Sequence, residues 1–180
     1  MNILALTGSL RARSINTELL RAFALRAPEG TDVRLFDGLG ALPHFNPDLD
    51  EEGMVPPASV TQLRAQVGTA DALVLCCPEY AHGVAGSFKN LLDWLVSAPE
   101  MHGKPVCVVT ASNGALFGPP SLVETLRTMS TVVIAGAPVT VPVNGRRLDA
   151  AGIVADAELA REIDGALTAI AVAVRAVQNS

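Results

Sequence analysis

Short apolar runs and longer stretches of helical spacing follow one another along this chain. Asn2 to Leu6 is an apolar run ending in Gly8-Ser9, the pattern of a buried strand entering a loop. From Ser14 the apolar residues Ile15, Leu19, Leu20 and Phe23 recur at helical spacing, with Ser14 as the expected N-cap and Pro28-Glu29-Gly30 as the stop. Asp32 to Phe36 alternates, with Val33 and Leu35 on one face and Asp32 and Arg34 on the other, as an edge strand does. Asp37 to Pro57 has no period and holds five acidic residues beside Pro43, Pro47, Pro56 and Pro57. A connection of that length is a candidate lid or interface loop. Val60, Leu63 and Val67 mark the next helix face, and Asp71 to Cys77 is a continuous apolar strand that stops at Pro78-Glu79-Tyr80. Phe88, Leu91, Leu92 and Leu95 predict an amphipathic helix that Pro99 limits. Val106 to Thr110 reads as a fourth strand, backed by a helix through Leu122, Val123, Leu126 and Met129. Val132 to Val141 supplies a fifth strand, and Leu159, Ile163, Leu167, Ile170, Val174 and Val177 trace a last helix.

Five strands alternating with five helices predict right-handed crossovers and an open parallel sheet. The edge pattern of the second strand favours the order 2-1-3-4-5, an α/β flavodoxin-like three-layer sandwich, over the six-stranded dinucleotide arrangement. In such sheets a ligand binds beyond the carboxyl ends of the strands, at the switch point beside strands one and three.

Composition narrows the function. The chain has 180 residues, 49% of them hydrophobic, which predicts one domain over 1–180 with a single good core. The formal net charge of −5 offers no basic face for nucleic acid, so any anionic ligand must be held by local groups. Met1 to Leu6 lacks the basic region and long apolar core of a secretion signal, and the most apolar stretches are shorter than a bilayer span. A cytoplasmic protein that meets no membrane is expected. Cys76, Cys77 and Cys107 show neither a disulfide framework nor a zinc spacing, and the acids at 48–52 lack an ordered calcium pattern. No metal site is expected.

Two loops carry candidate chemistry. Thr7 to Asn16 joins the first strand to a helix N-terminus, where backbone N–H groups and the helix dipole favour an anion. Ser9, Ser14 and Asn16 add short donors and Arg11 adds charge, making a phosphate cradle; the other reading is a polar loop with a serine cap and two solvated arginines. The segment matches neither the dinucleotide glycine fingerprint nor a Walker loop, which disfavours ATP and direct Rossmann-style NAD binding. Pro78 to Gly86 follows the third strand, across the switch point. Its glycines allow close backbone approach to a flat heterocycle that Tyr80 and His82 would line. Otherwise His82 is a solvent-facing loop residue and Glu79 a cap or orienting group.

Gly8-Ser9-Leu10-Arg11 with Ser14 and Asn16, then Pro78-Glu79-Tyr80 through Gly83, Gly86, Lys89-Asn90 and Asp93-Trp94-Leu95, resemble the NAD(P)H-dependent FMN reductases, which include quinone, azo-dye and chromate reductases. The resemblance covers the whole chain in length and element order. It implies noncovalent FMN, NADPH or NADH as electron donor, a small-molecule electron acceptor, and a homodimer or homotetramer. By position, Ser9, Arg11, Ser14 and Asn16, with Ile15 between them, would hold the FMN phosphate. Pro78, Glu79, Tyr80 and Gly83 would contact the ribityl chain and ring, and Ser112, Asn113 and Gly114 correspond to a third flavin loop. Ala115-Leu116-Phe117-Gly118-Pro119-Pro120 departs from the family's glycine-rich continuation there, as Ala81 and His82 depart from its usual Asn and Tyr. No protein residue is expected to be catalytic, because the flavin carries the hydride chemistry.

Lys89, Asn90, Asp93 and Trp94 fall on the less apolar side of their helix, which predicts a subunit contact or a local Lys89–Asp93 pair. Asp48, Asp50, Glu51 and Glu52 read as an acidic solvated loop, and Arg146-Arg147 either as surface or as partners of the nicotinamide cofactor's phosphate. The alternative function is a flavodoxin-like electron carrier without its own NAD(P)H site. A phospho-receiver domain would need an acidic cluster where Thr7-Gly8-Ser9 stands, and a binding protein without redox function remains a third alternative.

Overall fold

The computed structural model describes residues 1–134, 139–143 and 145–179. In chain order its elements are β1 (Asn2–Thr7), α1 (Ile15–Arg26), β2 (Asp32–Leu35), α2 (Ala58–Thr69), β3 (Ala72–Cys76), β4 (Glu79–Tyr80), β5 (Gly83–Val84) and α3 (Gly86–Asp93). They continue with β6 (Pro105–Thr110), α4 (Gly118–Thr128), β7 (Val132–Val133), β8 (Val139–Thr140), α5 (Ala150–Ala155) and α6 (Ala157–Gln178). The parallel sheet runs β2-β1-β3-β6-β7, with β8 also paired to β6, so the expected order holds.

Strand side chains alternate between two faces, and both faces are buried. Ile3, Ala5, Val74, Cys76, Cys107 and Val109 pack on α1, α5 and α6 through Leu19, Phe23, Ile153, Ile163 and Ile170. Leu4, Leu6, Leu73, Leu75, Val106 and Val108 pack on α2, α3 and α4 through Leu63, Val67, Phe88, Leu91, Leu122 and Leu126. That double burial is why β3 and β6 read as unbroken apolar runs, whereas β2, with one neighbour, alternates. Registers such as Leu6↔Leu75 and Leu75↔Val108 bring the carboxyl ends of β1, β3 and β6 to one rim.

The structure adds to the expected elements in three places. The expected fifth strand is seen as two short pairings with β6, Val132–Val133 near its start and Val139–Thr140 near its end; residues 135–138 of that stretch lie outside the described residues. The last helix is preceded by α5, and Asp156 between them caps α6 by accepting from Glu158 and Leu159 N–H at 3.1 Å. The loop after β3 is a hairpin, β4 paired antiparallel to β5. Its turn is Ala81-His82, both left-handed, with φ of 48° and 58°. Consecutive left-handed residues match the twist of a two-residue hairpin but cost a non-glycine residue roughly 1–2 kcal/mol each. Among the described residues no helix is long and apolar enough to cross a membrane.

Candidate functional site

The first loop is shaped by hydroxyls. Gly8 N–H donates to Cys76 O at 2.9 Å, extending the β1–β3 ladder past the strand. A Cβ on Gly8 would lie 2.5 Å from Cys77 Sγ, so glycine is what lets the loop lie against the root of the hairpin. Thr7 Oγ1 accepts from Ser9 N–H and Ser9 Oγ from Arg11 N–H, each at 3.3 Å. Ser14 Oγ accepts from Thr17 N–H at 3.4 Å, the N-cap expected for α1. Ser9 and Ser14 are buried, yet each hydroxyl that accepts a backbone bond keeps its proton to donate. Ile15 and Asn16 open α1, where N–H groups have no intrahelical acceptor and the dipole is positive. Asn16 Oδ1 accepts from Cys76 Sγ at 3.2 Å, which fixes the amide against the sheet. Full burial pushes the Cys76 thiol far above its ordinary value, so it stays protonated and a donor. The donor set of this loop fits a phosphate.

The second and third loops are tied together by Glu79. Its carboxylate accepts from Gly118 N–H at 2.7 Å and Phe117 N–H at 2.8 Å, at the start of α4. These bonds, Gly118's first, hold the carboxyl below its ordinary value against the opposing effect of desolvation. The Glu79 side chain is therefore the cap of α4. Pro78 and Gly83 are half-buried beside it, and Tyr80 is 55% exposed. His82 is exposed and stacks on Phe117, with ring centroids 4.2 Å apart at 27°. In the third loop Ser112 Oγ accepts from Gly114 N–H at 3.0 Å, which leaves Asn113 and Gly114 at the surface of a turn. Ser87 Oγ at the start of α3 donates to Gly8 O at 3.3 Å, joining this group to the first loop. The twelve expected flavin residues follow the carboxyl ends of β1, β3 and β6, on the first loop and the opening of α1, on the β4–β5 hairpin and its lead-in, and on the turn after β6.

The long connection is anchored on α2 and on the end of α3. Trp94 is fully buried, its indole N–H donates to Pro43 O at 2.9 Å, and Phe45 meets it edge-on at 5.0 Å. Asn90 accepts from Phe45 N–H at 2.7 Å and donates to Pro43 O at 3.0 Å. Asn90 and Trp94 thus hold a loop from what the sequence reads as the less apolar side of α3, and their i, i+4 spacing is the signal for it. The Lys89–Asp93 pair does form. Asp50 is likewise no solvated acid. It pairs with Arg64 at 2.9 Å and accepts from Ser97 Oγ, with its side chain 8% exposed. Burial would raise its pKa, but the bonds from Arg64 and Ser97 overcome this and hold it below its ordinary value. Asp48, Glu51 and Glu52 are exposed as expected, and the tip carries Met54 and Val55 at 53% and 85% exposure.

A cleft of about 570 Å³ opens beside the first loop, between Arg11, Arg13 and Ser14 and the β8–α5 connection with Arg146, Arg147 and Asp149. Arg11, Ala12, Arg13, Ser14 and Ile15 of the first loop line it, and no residue of the second or third loop does.

Likeness to known proteins agrees with this arrangement. The description of the NADPH-dependent FMN reductase family matches residues 1–143. A quinone reductase of Escherichia coli is 36% identical over 121 residues, 66% of this chain and 63% of that protein. An NAD(P)H-dependent FMN reductase of Pseudomonas aeruginosa is 37% identical over 116 residues, 63% of this chain and 61% of that protein. The chain thus spans under two thirds of the length of these relatives. In three dimensions FerB, a flavoenzyme NAD(P)H:(acceptor) oxidoreductase from Paracoccus denitrificans, superposes with a TM-score of 0.72 at 23% identity, over 99% of this chain and 97% of that one. That likeness shows the shared fold. With the flavodoxin-like strand order, the rim of three loops and the match over 1–143, the chain belongs to the NADPH-dependent FMN reductase family.

Proposed function

We propose that this protein is an NAD(P)H-dependent FMN oxidoreductase that passes electrons from NADPH or NADH through bound FMN to a small acceptor such as a free flavin or a quinone. The observation that carries the reading is the convergence of the Ser9–Asn16, Pro78–Gly83 and Ser112–Gly114 loops at one sheet rim, with buried hydroxyls and a helix N-terminus at one end and exposed backbone at the other. FMN, when bound, supplies hydride acceptance and donation. The chain's part is to hold it. Ser9, Ser14 and the opening N–H groups of α1 would take the phosphate with Arg11, and Asn16, fixed by Cys76, would border it. The backbone of the hairpin and of Ser112–Gly114 would face the polar edge of the ring, with Tyr80 open beside it.

The unit runs over 1–180 and works as a cytoplasmic homodimer or homotetramer on this reading, with the exposed tip around Met54 and Val55 available to a neighbour. An electron carrier that sandwiches its flavin between aromatic rings is disfavoured, because Trp94 is fully buried and bonded to Pro43. Fluorescence titration with FMN and with riboflavin tests the phosphate assignment. Arg11→Ala should weaken FMN by about tenfold or more, the loss of one charge-assisted contact, and leave riboflavin unchanged. Unchanged FMN affinity would remove Arg11 from the site.

A further inference from the structure

Cys76 ends β3 fully buried in the core that β3 shares with α1, so a ligand at the rim cannot touch it. It is nonetheless tied to two of the three loops. Its Sγ donates to Asn16 Oδ1 at 3.2 Å in the first turn of α1, and accepts from the backbone N–H of Ala111, just past β6. A thiol carries a single proton, and burial keeps it on the sulfur. Because Ala111 N–H occupies the acceptor side of the sulfur, the proton is left for Asn16 Oδ1. The carboxamide is thereby turned one way, oxygen inward and nitrogen outward.

The outward half of that amide is unengaged. Among the described residues Asn16 Nδ2 meets no acceptor, and it is open to solvent rather than buried. The helix that carries it is pinned independently. Thr17 Oγ1 meets Thr7 Oγ1 at 3.1 Å, which ties α1 to the end of β1, and Ser14 caps the helix start. What remains to be set is the orientation of the amide itself, and orientation decides the sign of its interaction with an anion. Two amide protons beside the open N–H groups of α1 add to a phosphate site, whereas an inverted amide would turn carbonyl lone pairs toward the phosphate oxygens.

Building on the flavin reading above, we infer that Cys76 is a positioning residue for FMN, whose thiol proton holds the Asn16 carboxamide with its donors toward the phosphate end of the flavin cradle. Cys76 acts only through Asn16, so it contributes to the preference for FMN over riboflavin and not to the grip on the isoalloxazine ring.

The test is fluorescence titration of FMN and of riboflavin against Cys76→Val, Cys76→Ser, Asn16→Ala and the Cys76→Val/Asn16→Ala double variant. Valine fills the site without a proton to donate, and FMN should bind about fivefold or more weakly while riboflavin stays within about twofold. Serine keeps a donor at the same place and should restore FMN affinity to within about twofold. In the Asn16→Ala background the valine change should have no further effect on FMN. Cys76→Ala, which also lacks the proton, stands in should the valine variant not fold, as judged by urea unfolding. Unchanged FMN affinity in the valine variant, an equal loss of riboflavin, a serine variant as weak as the valine one, or additive losses in the double variant would each overturn the assignment. Those outcomes leave the flavin reading intact, whereas failure of the unaltered protein to bind FMN would end that reading and this inference with it.

Discussion

Replacing Arg64 by alanine tests whether the long connection is held as described. The guanidinium is 17% exposed in its side chain and donates to Asp50 at 2.9 Å, to Trp94 O at 2.7 and 3.0 Å, and to Ser97 Oγ at 2.9 Å. Truncation leaves the Asp50 carboxylate, 8% exposed, with Ser97 as its remaining donor, and removes the side-chain donors of Trp94 O. Breaking a buried ion pair costs about 3–5 kcal/mol, and the exposure here allows some water to replace the arginine, which selects the lower end, about 3 kcal/mol. For a chain of this size that lowers Tm by about 6–12 °C. A double-mutant cycle with Asp50→Asn isolates the pair, and a coupling of about 1.5–3 kcal/mol is expected from thermal or urea unfolding. The freed tip at 51–57 should also be cut faster by protease. A loss below about 1 kcal/mol with additive single changes would refute the anchor.

Other consequences follow from the rim. Gly8→Ala puts a Cβ 2.5 Å from Cys77 Sγ and 3.0 Å from its Cα, so the loop must move; about 1–3 kcal/mol of stability and part of the FMN affinity should be lost, seen by unfolding and by titration. Glu79 titrates below its ordinary carboxyl value of 4.5 when folded, so its contribution is complete above that value and is lost as pH falls through the lower folded one. Glu79→Gln should therefore flatten the acid limb of the stability profile below about pH 4.5, and an unchanged profile would contradict the cap on α4.

Much of this architecture could be read from the residue pattern because local rules govern it. The two buried central strands, the Ser14 cap and the amphipathic α3 each follow from neighbours within a turn or two in the chain. The hairpin escaped because Ala81-His82 lacks the Asn-Gly signature that normally marks two left-handed residues in a row. Asp50 and Trp94 escaped for a different reason: their partners, Arg64 and Ser97 for one, Pro43 for the other, are brought together by packing between segments distant in sequence. Glu79 was legible as a cap or orienting group, but its acceptor role toward Phe117 and Gly118 depends on how β3 and β6 align. The cleft beside the first loop likewise forms only when the connection after β8 crosses to α1.

The proposed activity is tested most directly by the visible spectrum of the FMN-loaded protein under anaerobic conditions, recorded before and after NADPH and then NADH. The account predicts a bound flavin whose band bleaches rapidly with one or other nucleotide. A bound flavin that stays oxidised would point instead to an electron carrier, and a protein that retains no flavin would contradict the site.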